Sequence, residues 1–509
     1  MDFDESILQE APLKSADYFR RPVIGLNGFR EYDARWRIDN DLNYQGLTTL
    51  GRAFGTQLQQ EFGVADVIVG FDYRRYSQNV KNAFVIGLLA SGADVTDIGL
   101  ALTPVAYFAQ HLLNVKGCAM ITASHNENGW TGIKLGYDLS RTFGPDQIER
   151  YKLTVLSGAF REGRGLYREA RDVGDHYIRD FSSRRLRRRL KVVVATGNGT
   201  AGIFTPRVME EIGCDVVEAY TKLDWDFPHF NPNPEDMIFL RAIGDRVRAT
   251  GADIGIGIDG DGDRLGIVDE HGAEVFSDKV GLLLARDLVR GSVGATFVVD
   301  VKSTGLFFTD EILRSHGARV VFSKTGHSYV KAATHQNGAL AGIEKSGHFV
   351  FNPPLGRGYD DAHVAAVQVC GMLASRHETL SKLVSNLPTT FQSPTMSPFC
   401  ADDRKYDVVR KAEEAYRRDF EAGRRIAGLS IKELVTINGV RAVLEDGSWA
   451  LIRASSNLPC LSIVAESFGS KRQLYDIVGD VADRLKQYPE VGAFDQTLPP
   501  YEEGETKPG

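Results

Sequence analysis

The segment GIDGDGDRLG (257–266) sets three carboxylates, Asp259, Asp261 and Asp263, at alternate positions with only glycine between them. Glycine lets the backbone bend until all three converge on one hard cation; without a cation they would repel one another. With Glu270, the three aspartates also fall at positions one, three, five and twelve of a calcium EF-hand loop. That loop needs glycine at its sixth position for a sharp turn, and here the sixth residue is Arg264. The flanks read as strands, not helices. A few carboxylates and a phosphate partner suit Mg²⁺, which keeps some water and favours phosphate oxygens.

A second segment, TASHNENGWTGIKLG (122–136), carries Ser124 from the end of an apolar run into a polar, glycine-containing loop. No G-x-S-x-G elbow surrounds it, so a hydrolase triad is not indicated. His125 is adjacent, and neighbouring residues rarely aim correctly for base and nucleophile. A serine held near a metal can instead carry phosphate while the cation neutralises charge on the transferring group. Lys134, ten residues on, could serve as acid or base with its pKa lowered by nearby cations.

Short β-rich runs must position these loops: ADVIVGFD (65–72), GCAMITAS (117–124), KVVVAT (191–196), ADIGIGID (252–259), TFVVDV (296–301) and RVVFSK (319–324). Helical stretches such as 47–63 and 280–290 lie between them. Near-continuous apolar strands alternating with helices predict largely parallel sheets covered on both faces. Ligands collect at the carboxyl ends of such strands, where Ser124 and Asp259 both stand. Breaks near 170–190, 270–280 and 390–400 divide the chain into domains of 1–172, 173–276, 277–392 and 393–509. The last reads helix, strand, strand, helix, an α+β pattern, and ends in a tail, TLPPYEEGETKPG, of disordered composition.

The 509 residues exceed a single core. Their 60 Lys+Arg against 67 Asp+Glu provide no basic field for nucleic acid or an anionic membrane. No apolar run reaches the roughly 20 residues of a spanning helix, and the acidic start lacks a secretory pattern. The five cysteines make no metal-ligand spacing and fit reduced thiols in the cytoplasm.

TASHN, GIKLG, DGDGDR and EKSGH, in that order, resemble the α-D-phosphohexomutases, particularly their bacterial phosphomannomutase/phosphoglucomutase branch, from about Phe29 to about Glu466. The resemblance implies three similar α/β domains with mixed, largely parallel sheets plus a C-terminal α+β domain around a central cleft. It implies interconversion of hexose 1-phosphate and hexose 6-phosphate, with mannose or glucose as the sugar and a hexose 1,6-bisphosphate as intermediate and activator. Ser124 is then the phosphoserine, its phosphate joining Asp259, Asp261 and Asp263 around Mg²⁺. FREYDAR (29–35) places Tyr32 and Arg35 at the reacting end, Lys134 matches the proposed general base, and Arg264 follows the metal loop. DVKST (300–304) and KTGHS (324–328) supply Lys302 and His327. GIEKSGH (342–348) matches the sugar loop, with Glu344 and Ser346 for hydroxyls and His348 by the reacting phosphate. SWALIRASSNLP (448–459) echoes the phosphate clamp through Arg453, Ser455, Ser456 and Asn457, with Ser456–Asn457 where an Asn-Thr pair is usual.

The partners implied are small hexose phosphates, with no nucleic acid and no membrane, for a monomer or dimer. GNGTAG (197–202) matches a dinucleotide fingerprint, but a lone match is weak and similar turns open the second domain of this family without nucleotide. RRLRRRLK (184–191) lacks interleaved aromatics and reads as a solvated helix end. Competing activities are a catalytically silent sugar-phosphate binder on the same fold, a phosphoglucosamine mutase, and a metal-dependent phosphatase.

Overall fold

The computed structural model describes residues 14–38 and 40–498. The tail expected at 497–509 lies, from residue 499 on, outside the described residues, as does the acidic start through residue 13. The chain divides into two compact units: residues up to 101 with 109–171, and 102–108 with 172 onward.

The first unit is built on a seven-stranded sheet. Asp66–Phe71 runs parallel to both Asp94–Leu100 and Gly117–Ile121, while Trp130–Asp138 returns antiparallel to Gly117–Ile121 and pairs with Ala34–Arg37. Its central strands are buried and apolar because helices cover them. Helix Tyr44–Glu61 starts where the Asn43 side chain accepts the Gly46 N–H at 2.7 Å. Its inner face joins Phe54, Phe84, Phe143 and Tyr151 in one core.

The second unit holds three sheets. In the first, Ile254–Ile258 is parallel to Lys191–Ala195 and antiparallel to Leu265–Val268. Helix Met237–Thr250 presses so closely on this strand that a Cβ at Gly257 would meet Ile243 Cδ1 at 2.8 Å. In the next, Arg319–Ser323, Thr296–Asp300 and Ala341–Ile343 are parallel, and Phe349–Phe351 pairs antiparallel with Ala341–Ile343. One pattern therefore recurs in all three mixed sheets. A strand in the parallel region turns through a short loop into an antiparallel neighbour, and that loop carries Ser124, the aspartates, or Glu344 to His348. Such tight connections need no crossover helix, so the loop stays anchored by ladder hydrogen bonds on both sides.

The fourth sheet is antiparallel, ordered 391–392, 461–467, 449–454, 440–444, 429–435, 425–426. Helices Lys405–Glu421 and Lys471–Leu485 pack on it. Five strands lie between the helices where two were expected from sequence. The additional ones are short or carry charged residues, as in LSIKELV, so their apolar runs are broken. The basic run at 184–191 is also different from expectation. Helical structure ends at Arg184, and the rest is irregular, largely exposed chain before the strand at Lys191.

Candidate active site

In the first unit, Ser124 is buried at 1 % exposure and takes the left-handed conformation, φ 52°. A non-glycine residue held there is strained and persists only where its surroundings dictate it. They do. The Ser124 N–H donates to Thr122 Oγ1 at 2.8 Å, and Thr122 donates to Asp72 Oδ2 at 2.8 Å. Arg74 donates to the carbonyls of Ser124 (2.9 Å), Asn126 (2.7 Å) and Glu127 (3.1 Å), gathering the loop around one guanidinium. Arg74 is itself ion-paired with Asp72.

Arg35 donates to Asn126 Oδ1 at 3.0 Å and pairs with Asp33. Its strand, Ala34–Arg37, is in register with the start of the strand that carries Lys134. Tyr32 and Lys134 are each 5 % exposed. Arg35, Ser124 and the 125–127 turn thus share one side-chain network. Sequence reasoning expected Ser124 and His125 not to meet. The left-handed turn swings them together, with Oγ 3.2 Å from Nδ1.

In the second unit, Asp259, Asp261 and Asp263 are completely buried, and their ligand oxygens lie within 4.8 Å of one another. Asp259 Oδ1 accepts the N–H groups of Gly262, Asp263 and Arg264 at 3.0, 3.1 and 3.1 Å, closing the loop on itself. Gly262 makes that closure possible, with φ 81° and a Cβ position already filled by Leu102. Thr103 holds Asp261 from outside, donating its hydroxyl to Oδ2 at 2.6 Å and its N–H to the carbonyl at 2.8 Å. Three buried carboxylates with a loop shaped around them fit a hard divalent cation.

The aspartate loop is joined directly to the 344–348 loop. Arg264 and His348 form an antiparallel bridge, and the Leu265 N–H donates to the Gly347 carbonyl at 2.9 Å. Arg264 Nε donates to His348 Nε2 at 3.0 Å, and Nη1 lies 3.4 Å from Glu235. Burial works against the Arg264 charge, but Glu235, Asp259, Asp263 and Glu344 outweigh it and raise its pKa. Lys302 Nζ is 3.9 Å from the same Glu235. Glu344 accepts from the Gly326 N–H at 2.9 Å and from the Ser346 hydroxyl. Burial favours its neutral form, yet Lys302, the Ser346 hydrogen bond and Arg264 counter it, and its pKa lies below the ordinary carboxyl range. Asp300 nearby is shifted upward, chiefly by burial.

His327 opens helix His327–Gln336, its ring centroid 5.5 Å from that of His348. Thr325, two residues earlier, takes its N–H to Asn438 Oδ1 (3.2 Å), which also accepts from Arg453 Nε at 2.8 Å. Arg453 is 4 % exposed and donates to Ser456 Oγ at 3.1 Å. Ser455 instead caps its own turn, accepting the Leu458 N–H at 3.2 Å, and Asn457 lies half-buried beside it. Lys405 ties the carbonyls of Ser455 and Leu458 from below.

Several contributors escaped the sequence reading: Asp72, Arg74, Thr103, Glu235, Asn438 and Lys405. Asp72 and Arg74 were visible in principle, since FDYRRYS (71–77) stands at a strand end like Ser124 and Asp259. Nothing local marks Thr103 or Asn438, which matter only through distant partners.

Three models of one family cover much of the chain. They are described as phosphoglucomutase/phosphomannomutase alpha/beta/alpha domain I (residues 26–156), domain II (175–272) and domain III (276–391). A phosphomannomutase/phosphoglucomutase from Pseudomonas putida is 31% identical over 439 residues, spanning 86% of this chain and 91% of the relative. Its namesake from Pseudomonas aeruginosa is 30% identical over 483 residues, 94% and 98% of the two chains. A crystal structure of a phosphoglucomutase/phosphomannomutase family protein from Burkholderia thailandensis superposes with TM-score 0.81 at 30% identity, covering 91% of this chain and 98% of that one.

Proposed function

Because the chain belongs to the phosphoglucomutase/phosphomannomutase family, we propose that it interconverts mannose or glucose 1-phosphate and 6-phosphate through a phosphorylated Ser124. The observation that carries this reading is the recurrent hairpin loop, which in successive sheets bears a buried serine, a buried aspartate triplet and a Glu-Lys-Ser-Gly-His turn.

In this reading Ser124 passes its phosphoryl group to the free sugar hydroxyl, which loses its proton, and a hexose 1,6-bisphosphate forms. After the sugar turns over, its other phosphate returns to Ser124. Lys134 takes and returns the hydroxyl proton. Mg²⁺ held by Asp259, Asp261 and Asp263 would neutralise charge on phosphoryl oxygens. The already ionised Glu344 accepts hydroxyl hydrogen bonds from the sugar, and Ser346 offers a hydroxyl beside it. Arg35, Arg264, Lys302 and His327 supply donors for the reacting phosphate, and His348 stands beside it as the acceptor that holds Arg264. Arg453, Ser456 and the amides near Asn457 clamp the other phosphate, with Ser455 and Lys405 shaping that turn. Such a cycle needs an orientation-tolerant sugar grip, and a carboxylate–hydroxyl pair satisfies it, since both ends of the sugar present hydroxyls.

Five buried cysteines, none in a disulfide, suit a reducing compartment, and we place the enzyme in the cytoplasm. No described helix is long and apolar enough to cross a membrane. The test is Ser124→Ala, assayed with glucose 1-phosphate, Mg²⁺ and a bisphosphate activator. Conversion should disappear, and full retained activity would overturn the assignment. Mannose, glucose and glucosamine 1-phosphates compared side by side rank the sugars. Phosphate release outrunning isomerisation would mark a phosphatase instead.

A further inference from the structure

Asp360 has no part in the roles given above, yet it is completely buried beside them. It stands at the end of the strand-like turn after Phe351, bridged antiparallel to Val350, two residues from His348 along that strand. Its two oxygens are divided. Oδ1 lies 2.8 Å from Lys331 Nζ, while Oδ2 lies 3.1 Å from His348 Nδ1 and 3.8 Å from His327 Nδ1. Lys331 is held in turn against Tyr107, with its Nζ 3.4 Å from the hydroxyl and 4.5 Å from the ring centre.

The other side of the His348 ring is set by Arg264. A guanidinium can only donate, so its hydrogen bond to Nε2 requires a lone pair there and leaves the ring proton on Nδ1, towards Asp360. The ring is therefore gripped between a donor and a carboxylate. Burying a carboxylate is costly unless cations and N–H groups meet it, so its position beside two imidazoles calls for more than a counter-ion to Lys331.

We propose that Asp360 is a positioning residue: it orients the His348 ring, fixes its proton on Nδ1, and so keeps the Nε2 lone pair as the acceptor that holds Arg264, the donor to the reacting phosphate. The proposal rests on the mutase reading and concerns the rate of the chemical step, not sugar affinity. Asp360→Asn preserves shape and removes the charge, but also strands Lys331. Asp360→Asn with Lys331→Met removes both charges and separates the two roles.

Wild-type enzyme must first interconvert glucose 1- and 6-phosphates; failure there sinks the mutase reading, not this one. In the double variant the urea midpoint should return close to wild type while kcat stays lower by on the order of 10²-fold, with KM changed less than about threefold, the size expected when a positioning contact is lost. Recovery of kcat together with stability would show that Asp360 serves only Lys331 and overturn the proposal. So would wild-type kcat in the single variant. If the single variant does not fold, the double variant alone still decides between these outcomes.

Discussion

Next to Asp360, a buried relay allows the pH dependence of stability to be worked out residue by residue. Asp361 caps helix Ala362–Ala374, accepting the N–H groups of His363 (2.9 Å) and Val364 (3.1 Å). The Tyr177 hydroxyl reaches Asp361 Oδ1 at 2.9 Å and His363 Nδ1 at 2.9 Å, and Thr205 Oγ1 lies 2.8 Å from His363 Nε2. With His363 neutral, every hydrogen has one acceptor: Thr205 to Nε2, Nδ1–H to the Tyr177 oxygen, and Tyr177 to the carboxylate. A second ring proton would find only the Thr205 oxygen, whose own hydrogen would lose its acceptor. Burial lowers the His363 pKa from 6.5 to about 3. Burial raises that of Asp361 from 3.8 to about 6, against the pull of its hydrogen bonds.

The two shifts have opposite consequences. Between pH 6.5 and 3 the unfolded chain binds a proton at His363 that the native state does not, so acid destabilises. Between pH 6 and 3.8 the native state binds a proton at Asp361 that the unfolded chain does not, so acid stabilises. From pH 6.5 to 4.5 each effect amounts to about 2 kcal/mol, and in the wild type they nearly cancel. His363→Gln should therefore gain about 2 kcal/mol over that interval relative to wild type, and Asp361→Asn should lose about 2 kcal/mol. Urea unfolding followed by fluorescence at both pH values measures the differences, with any pH-independent cost of substitution subtracting out. Variants whose stabilities run parallel to wild type between the two pH values would refute the relay.

Two further expectations concern the metal loop and the fourth sheet. Asp261→Asn should weaken Mn²⁺ binding, measured by calorimetry, by at least about tenfold, and chelator treatment of the wild type should abolish activity that Mg²⁺ then restores. Arg441 is buried with its guanidinium 3.6 Å from the Trp449 ring centre and donates to the carbonyls of Val301 (2.8 Å) and Ser303 (2.7 Å). Arg441→Met should strand both carbonyls and the nearby Glu466, lowering the unfolding free energy by about 3 kcal/mol or more.

The chemistry-bearing residues were legible because their signals are local. Three aspartates separated by glycines, a serine ending an apolar run and a Glu-Lys-Ser-Gly-His turn are each specified within a few positions, and so are the buried strands leading into them. Their order along the chain sufficed to mark the family. The antiparallel return strands were less legible. A strand buried on both faces reads the same in either direction, so sequence showed strands on both sides of the aspartate loop but not that they pair antiparallel. The added strands of the last sheet were hidden by charged residues, the exposed Lys432 and Glu433 in one strand and the buried Arg441 in the next.

Tertiary structure alone decided which groups hold the reactive ones. Thr103 meets Asp261 across 158 positions, and Arg74 meets the Ser124 carbonyl across 50. The pairing of Ser124 with His125 is the converse case, adjacent in sequence yet settled by one backbone angle of 52°. Asp360 shows the division most clearly. Its type was plain in the chain, but its meaning depends on two histidines and a lysine from another helix and loop, because burial makes a carboxylate's charge conditional on what surrounds it.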